Sequence, residues 1–200
     1  MEEIGVGPHP RPWPIDTKYD PQLLEKGDRR NVIDKYRYWT VEAIKQDMAK
    51  RQNNFEVAIE NWQHDFNIGT IVRNANAFGA KRVHIIGRRH WNRRGAMMTD
   101  AYLEVVRHSN IEEFLQAVPD GNLIAVDNTE GSKSVTQVAL PKEAVFVFGG
   151  EGPGLSKEMV AACQQLIKID QYGSTRSINV GVASGIIMHE WLRQHKLIDF

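Results

Sequence analysis

The chain has 200 residues, of which 42% are hydrophobic and 25% are charged, and this predicts one globular domain with a real core and a small appendage. Its 25 basic and 25 acidic side chains give a formal net charge of zero. This balance excludes a protein whose overall field attracts polyanions, so any nucleic-acid binding needs a local basic patch.

The first 52 residues form an N-terminal extension that is predicted to lie outside the main domain, which covers residues 53–200. Its residues 5–21 are rich in proline, and this predicts an irregular segment over the surface with no role in the core. Apolar residues then recur every three or four positions between residues 34 and 51, which predicts an amphipathic helix.

Short apolar runs then alternate with helical patterns. The runs predict strands over 55–60, 82–86, 123–126, 144–148 and 166–169, with one more short strand around 103–106. The helical patterns cover 68–78, 111–117, 156–164 and 179–194. This alternation predicts an α/β fold, a mostly parallel sheet with helices on both faces.

A first polar group follows the first strand, in the segment Asn67-Ile-Gly69-Thr-Ile-Val-Arg73. Asn67 is in position to cap the following helix. The apolar residues of that helix form one stripe toward the sheet, so Arg73 is expected to point away from the core. This helix alone fits an ordinary solvated arginine as well as a functional one.

Four arginines surround an aromatic ring directly after the second strand: Arg88, Arg89, Trp91, Arg93 and Arg94. Arginines bind phosphates and tryptophan stacks on exposed bases, so the run is a candidate RNA-binding loop. A solvated loop explains the same charges. A second candidate surface lies in the extension and contains Lys26, Arg29, Arg30, Lys35 and Arg37.

A glycine-rich turn over 149–154 joins a buried strand to a helix, at the edge where open α/β sheets bind ligands. Leu155 stands where a Walker A loop requires lysine, and the third glycine of a dinucleotide fingerprint is missing. Glu151 in the turn would repel a polyphosphate, which favours a neutral or cationic ligand. An incidental acid in a tight structural turn is the alternative.

A third polar group, Ser177-Ile178-Asn179, precedes the last apolar helix and would orient side chains at its start. Together, three segments resemble in order and spacing the signature motifs of the SpoU (TrmH-like) RNA 2′-O-methyltransferase family of the SPOUT superfamily. They are Asn67-x-Gly69-x-x-x-Arg73, Gly149-Gly150-Glu151-Gly152-x-Gly154-Leu155 and Ser177-Ile178-Asn179-Val180. The resemblance covers about residue 54 to the C-terminus.

This resemblance implies a SPOUT fold with a C-terminal deep trefoil knot, a homodimer, and S-adenosyl-L-methionine as the methyl donor. It implies methylation of a ribose 2′-hydroxyl of tRNA or rRNA. The implied cofactor-binding residues are Gly149, Ile169 and Ile178, with the adenine between the glycine-rich turn and the loop 172–177. The implied catalytic residues are Arg73, Asn67, Glu151, Ser177 and Asn179. Asp170 and Gln171 depart from the Ile-Pro-Met that relatives often have after the last strand.

The role of Arg73 stays open between a base and an anchor for the phosphate beside the target nucleotide. We favour the anchor, because a guanidinium holds its proton strongly. Two alternatives for the whole chain are an RNA-binding knotted dimer without methyl transfer and a structural dimerisation protein. Gly181 and Gly185 are expected to let another helix or the cofactor approach the last helix, with dimer packing as the expected use.

The remaining features favour a cytoplasmic protein without a bound metal. A single cysteine, Cys163, excludes an intramolecular disulfide and suits a reducing compartment. No secretory signal is visible, and no stretch approaches the roughly 20 apolar residues of a membrane span. His189-Glu190 begins a zinc-binding pattern, but Arg193 occupies the position of the second histidine.

Overall fold

The computed structural model describes residues 5–62, 67–88, 90–119, 121–150 and 154–196. Within these residues, seven strands form one sheet: β1 (Phe55–Asn61), β2 (Arg82–Gly87), β3 (Glu104–His108), β4 (Leu123–Val126), β5 (Lys133–Ser134), β6 (Ala144–Phe148) and β7 (Gln165–Lys168). Their order is β3-β2-β1-β6-β4-β7-β5, and every paired strand is parallel. The central strands β4 and β6 are apolar throughout because both faces of the sheet are buried, whereas β1 also carries Glu56 and Glu60.

In the described residues the helices are α1 (Pro21–Lys26), α2 (Val41–Ala49), α3 (Ile68–Ala77), α4 (Ile111–Ala117), α5 (Lys157–Ala162) and α6 (Val180–His195). Helices α3 and α6 cover one face of the sheet, and α4 and α5 cover the other. One core cluster joins α3 and α6 to the sheet, with Trp191 packed on Phe55. The other joins α4 and α5 to the sheet through Phe114 and Met159. The predicted α/β fold is thereby confirmed. In the described part of the chain no helix combines the length and apolar character that a membrane span requires.

Some predicted boundaries differ from the structure. The helix predicted over 34–51 begins only at Val41, where Thr40 Oγ1 accepts a hydrogen bond from Ala43 N at 3.2 Å. Tyr38 adopts a left-handed conformation with φ +65°, so the chain turns before the helix begins. The helix predicted over 156–164 ends at Ala162, and Cys163 follows it. Burial raises the pKa of the Cys163 thiol to about 12, so this cysteine stays a neutral, unreactive thiol.

The extension is held together by the buried carboxylate of Asp28. Arg30 donates to it from Nε at 2.9 Å and from Nη2 at 2.6 Å, and Tyr38 N donates at 2.9 Å. Burial opposes the charge, yet the hydrogen bonds from Arg30 hold the pKa of Asp28 below its usual range. Arg37 donates to the Arg30 carbonyl at 2.7 Å. Arg30 and Arg37 therefore stabilise the extension through internal hydrogen bonds. Their guanidinium groups are thus engaged within the extension, unlike the free basic groups that the second candidate RNA surface assumes.

Candidate active site

A cleft of about 610 Å³, the central cleft, opens at the carboxyl ends of β4, β6 and β7. The ends of these strands and the loop into α6 supply most of its lining, including Asp127, Gly149, Gly154, Lys168, Ile169, Gln171, Arg176, Ser177, Ile178 and Asn179. All three residues implied to bind a cofactor line this one cleft, although they come from three different segments. Their roles stay a prediction.

The glycine-rich turn bends so tightly that only glycine fits at its start. A Cβ on Gly149 would lie 2.2 Å from the Gly154 carbonyl carbon, and Gly154 has a left-handed φ of +71°. A backbone bridge between Gly150 and Gly154 closes the turn. Bare backbone therefore forms this wall of the central cleft. Glu151, predicted as catalytic, lies outside the described residues.

Two carboxylates hold the backbone immediately after the turn. Leu155 N donates to Asp127 Oδ2 at 3.1 Å, and Ser156 N donates to Glu60 Oε2 at 2.7 Å. Because β6 lies between β1 and β4, these acids reach the turn from the strands on either side. Glu60 is wholly buried, and its other oxygen accepts from Trp62 Nε1 at 3.0 Å. Neither acid was predicted from the sequence, although an acid among the apolar residues of β1 is a visible signal.

A hydrogen bond between two asparagines joins the first motif to the third. Asn67 precedes α3 as predicted, but its side chain makes no capping bond to that helix. Its Oδ1 instead accepts from Asn179 Nδ2 at 2.8 Å. Asn179 caps α6, because its own Oδ1 accepts from Val182 N at 3.2 Å. Two residues 112 positions apart are thus fixed against each other at the entrance to α6.

The glycines of α6 allow α3 of the same chain to pack closely. A Cβ on Gly181 would lie 2.9 Å from Thr70 Cγ2, and one on Gly185 would lie 3.3 Å from Asn74 Nδ2. Asn74 Nδ2 also donates to the Gly181 carbonyl at 2.8 Å. The approach of another helix is confirmed, and within this chain that helix is α3. The expected use of these glycines in dimer packing stays a prediction. These contacts bring the first motif beside the third.

Gly69 of the first motif serves a similar close contact on the other side of α3. A Cβ there would lie 2.8 Å from both Asn92 O and Ala96 N. The loop that carries the arginines therefore rests against the first turn of α3. Glycine is required here by the approach of backbone rather than by an unusual φ.

Arg73 is exposed on α3 and does not line the central cleft. With the described residues it forms no hydrogen bond or ion pair. Ser177 and Asn179 are exposed and do line the cleft. The structure thus gathers Asn67, Ser177 and Asn179 at one edge of the cleft and leaves Arg73 on the adjacent surface of α3.

Only part of the predicted RNA-binding loop is exposed and free to contact RNA. Arg88 and Arg94 are exposed, whereas Trp91 is half-buried against the core. The Arg93 guanidinium lies 5.5 Å from the centre of the Trp91 ring and 3.5 Å from Asp100 Oδ2. Trp91 therefore already holds a cation against its ring. Arg89 lies outside the described residues.

Comparison with known proteins places most of the chain in one family. A family model described as the SpoU rRNA Methylase family matches residues 54–189. A protein of Mycobacterium sp. (strain KMS) named an uncharacterized tRNA/rRNA methyltransferase is 32% identical over 148 residues, which are 70% of this chain and 46% of that protein. The chain thus spans about half the length of the curated relatives it matches.

Solved structures agree with this placement. The AdoMet-bound rRNA methyltransferase from Sinorhizobium meliloti aligns with a TM-score of 0.64 and 25% identity, over 76% of this chain and 60% of that one. The A. aeolicus TrmH/SpoU tRNA modifying enzyme shares the fold, with a TM-score of 0.68 and 24% identity over 80% of this chain and 84% of that one. With its parallel sheet, its central cleft and the match over residues 54–189, the chain belongs to the SpoU rRNA methylase family.

Proposed function

We propose that this chain is an RNA methyltransferase that uses S-adenosyl-L-methionine to methylate a ribose 2′-hydroxyl of tRNA or rRNA. The observation that carries the proposal is the convergence of Gly149, Ile169 and Ile178 on one cleft whose edge holds Ser177 and Asn179. The relative from Sinorhizobium meliloti is described as an AdoMet-bound rRNA methyltransferase, which supports the same cofactor here. The curated relatives carry the description tRNA/rRNA methyltransferase, which supports an RNA substrate.

The central cleft fits such a cofactor. Its volume of about 610 Å³ is within the usual range of cofactor sites, roughly 300–1,000 Å³. Gly149 and Gly154 form a wall without side chains, because a Cβ on Gly149 would clash with the backbone of Gly154. Ile169 and Ile178 add apolar surface for a flat ring. These three residues would hold the cofactor. When bound, it supplies an electrophilic methyl group on a sulfonium that leaves as a neutral thioether.

The polar residues beside the cleft position the acceptor sugar. Arg73 is exposed, and a guanidinium grips a phosphate through two parallel hydrogen bonds. Its fixed positive charge favours the deprotonated form of a hydroxyl close by. Ser177 and Asn179 orient that hydroxyl at the cleft edge, and Asn67 braces Asn179 through their shared hydrogen bond. Glu151 is proposed to pair with Arg73 or with a residue of a second copy.

A homodimer and a trefoil knot belong to the same proposal. Tyr172, Val182 and Ile186 are exposed apolar side chains on the loop before α6 and on α6 itself. Two of them border an apolar hollow of about 540 Å³ that also includes Phe78, which supports contact with a second copy. Asn128 Nδ2 donates to the Arg176 carbonyl at 2.6 Å and so fixes the loop that would thread the knot.

An RNA-binding dimer without methyl transfer is the alternative, and the departure at Asp170 and Gln171 is its motivation. Asp170 does not line the central cleft; its carboxylate accepts a hydrogen bond from Ser134 Oγ. Of the two residues, only Gln171 lines the cleft. The departure therefore leaves the cleft open, which favours the enzyme.

The deciding experiment combines cofactor binding with methyl transfer. Calorimetry with S-adenosylhomocysteine is expected to detect binding, and RNA from cells without the gene is expected to accept labelled methyl groups. Mapping of 2′-O-methyl sites then identifies the nucleotide. No binding at millimolar ligand would support the RNA-binding alternative, and a methyl group found on a base would refute the ribose target.

A further inference from the structure

Gln171 carries an unsatisfied hydrogen-bond acceptor at the wall of the central cleft. It follows the last strand by three residues and lines the cleft together with Ile169 and Ile178. Its Oε1 is buried and accepts no hydrogen bond from any residue that the structure describes. Buried polar atoms of native proteins nearly always have a partner, so an orphaned oxygen beside a ligand site indicates that a ligand supplies the donor.

The carboxamide limits the chemistry of that donor. A glutamine side chain offers one acceptor and two donor hydrogens on the same planar group. The adenine edge presents the matching pair, an N6 amino donor beside an N7 acceptor, and glutamine recognises adenine through both. Hydroxyl groups and an ammonium group would form stronger hydrogen bonds with the charged carboxylate of Asp127, which lines the same cleft.

The position of Gln171 along the chain agrees with this assignment. The loop 172–177, which begins immediately after it, is one of the two segments proposed to enclose the adenine. The glycine-rich turn is the other, and Gly149 and Gly150 line the same cleft.

We propose that Gln171 is a specificity-determining residue whose carboxamide pairs with N6 and N7 of the cofactor's adenine. This inference rests on the proposed function, because it assigns one further contact to the cofactor cleft. Gln171 touches no reacting atom, so its effect is on cofactor affinity and on discrimination between purines.

The test measures binding of three ligands by calorimetry in the absence of RNA. They are S-adenosylhomocysteine, its analogue without the 6-amino group, and its 7-deaza analogue. The natural chain is expected to bind each analogue about tenfold more weakly than the parent compound. Gln171→Met, which keeps length and flexibility but removes the amide, is expected to bind all three with similar affinity, about tenfold below the natural chain with the parent compound.

A control variant and a second measurement keep the outcomes separate. Gln137→Met changes an exposed glutamine outside the central cleft and is expected to leave all three affinities unchanged. Gln171→Met is also expected to keep or raise the melting temperature without ligand, because it removes an unsatisfied buried oxygen. Equal discrimination in the Gln171→Met variant and the natural chain would overturn the inference. If the natural chain binds the parent compound but does not discriminate, Gln171 is likewise excluded, whereas no binding of any ligand refutes the cofactor cleft itself.

Discussion

Glu60 and Ser156 lie 96 positions apart and are joined by a 2.7 Å hydrogen bond from Ser156 N to Glu60 Oε2. This contact ties the end of β1, which leads into the first motif, to the backbone that follows the glycine-rich turn. The turn is held from the other side by Asp127. The backbone that follows the glycine-rich turn is therefore fixed to the ends of both β1 and β4.

Replacing Glu60 by leucine is expected to destabilise the protein. The substitution leaves the part-buried Ser156 N without its acceptor, at about 1–3 kcal/mol. It also removes the acceptor of the indole of Trp62, which is an exposed residue. Denaturant unfolding measures the loss, and calorimetry with S-adenosylhomocysteine is expected to show weaker binding because the turn loosens. Glu143→Leu, at an exposed position, is the control. Equal stability of the two variants would exclude a structural role for the Glu60 carboxylate.

Gly149→Ala is expected to distort the glycine-rich turn, because the added methyl carbon would lie 2.2 Å from the Gly154 carbonyl carbon. Overpacking of this kind costs about 1–3 kcal/mol, and cofactor binding should fall with it. Gly7→Ala, in the extension, is the matched control, since nothing lies within 4 Å of its Cβ position. Thermal unfolding and calorimetry compare the two variants. Unchanged binding by Gly149→Ala would show that the turn is not a wall of the cofactor site.

Arg73→Ala is expected to lower methyl transfer about 100-fold or more, on the scale of losing one charged group that stabilises a transition state. Cofactor binding should stay unchanged, because Arg73 does not line the central cleft. Arg73→Lys should recover little activity, since lysine cannot form the two parallel bonds to phosphate. Single-turnover methylation is the measurement. Full activity of Arg73→Ala would remove Arg73 from the site, and full activity of Arg73→Lys would exclude the two parallel bonds to phosphate.

The two residues of the Asn67–Asn179 hydrogen bond are expected to differ in how much their replacement by alanine destabilises the protein. Asn179→Ala should lower the free energy of unfolding by about 0.5–2 kcal/mol, because it removes the cap of α6. Asn67→Ala should cost less stability, since its side chain does not cap α3. A double-mutant cycle in unfolding experiments is expected to give a coupling of about 0.5–1.5 kcal/mol. Additive effects would mean that the hydrogen bond does not form in solution.

Acidification is expected to destabilise the protein through a buried histidine pair on β2 and β3. His84 Nε2 donates to Glu56 Oε2 at 2.6 Å, so in neutral His84 the Nδ1 accepts from His108 Nε2 at 2.9 Å. Burial, and then the charge of His84, lowers the pKa of His108 below its ordinary 6.5. The unfolded chain therefore takes up this proton first, and stability falls as pH drops below about 6.5.

Three charged residues near the histidine pair, Glu56, Arg82 and Glu113, also bear on the pH dependence. The hydrogen bond from His84 lowers the pKa of Glu56, so the contribution of that carboxylate is lost only at a lower pH, as pH falls through its folded pKa. Glu113 opposes the lowering of the His108 pKa and Arg82 adds to it. The free energy of unfolding is measured between pH 5.5 and 8. Its dependence on pH should be weaker in His108→Gln than in the natural chain, and unchanged in His189→Gln, which alters an exposed position. Equal slopes would exclude the pair as the cause.

Local patterns predicted much of the fold. The strands β4 and β6 were predictable because each is buried on both faces and is therefore a short continuous apolar run. β5 has only two residues, which is too short to show any period. The start of α2 was misplaced because the left-handed turn at Tyr38 leaves no mark in the apolar spacing.

Local patterns predicted only the polar groups within each motif, and the family resemblance implied which of the separate segments form one site. The lining of one cleft by Gly149, Ile169 and Ile178 matches the implied cofactor residues, while their roles stay predictions. The contacts from Glu60 to Ser156 and from Asn67 to Asn179 join residues 96 and 112 positions apart. No local pattern encodes such pairs, because they depend on the order of the strands.

The place of β6 between β1 and β4 has a consequence for synthesis on the ribosome. β1 pairs with β2 soon after both emerge, but its other edge pairs with β6, whose Phe148 aligns with Ile59. Until that later segment leaves the exit tunnel, the second edge of β1 has no paired strand, and the Glu60 carboxylate lacks its hydrogen bond from Ser156 N. The sheet is completed only when β6 has joined β1 to β4 and β7 has joined β4 to β5, so the growing polypeptide is most prone to aggregate before these two late strands arrive.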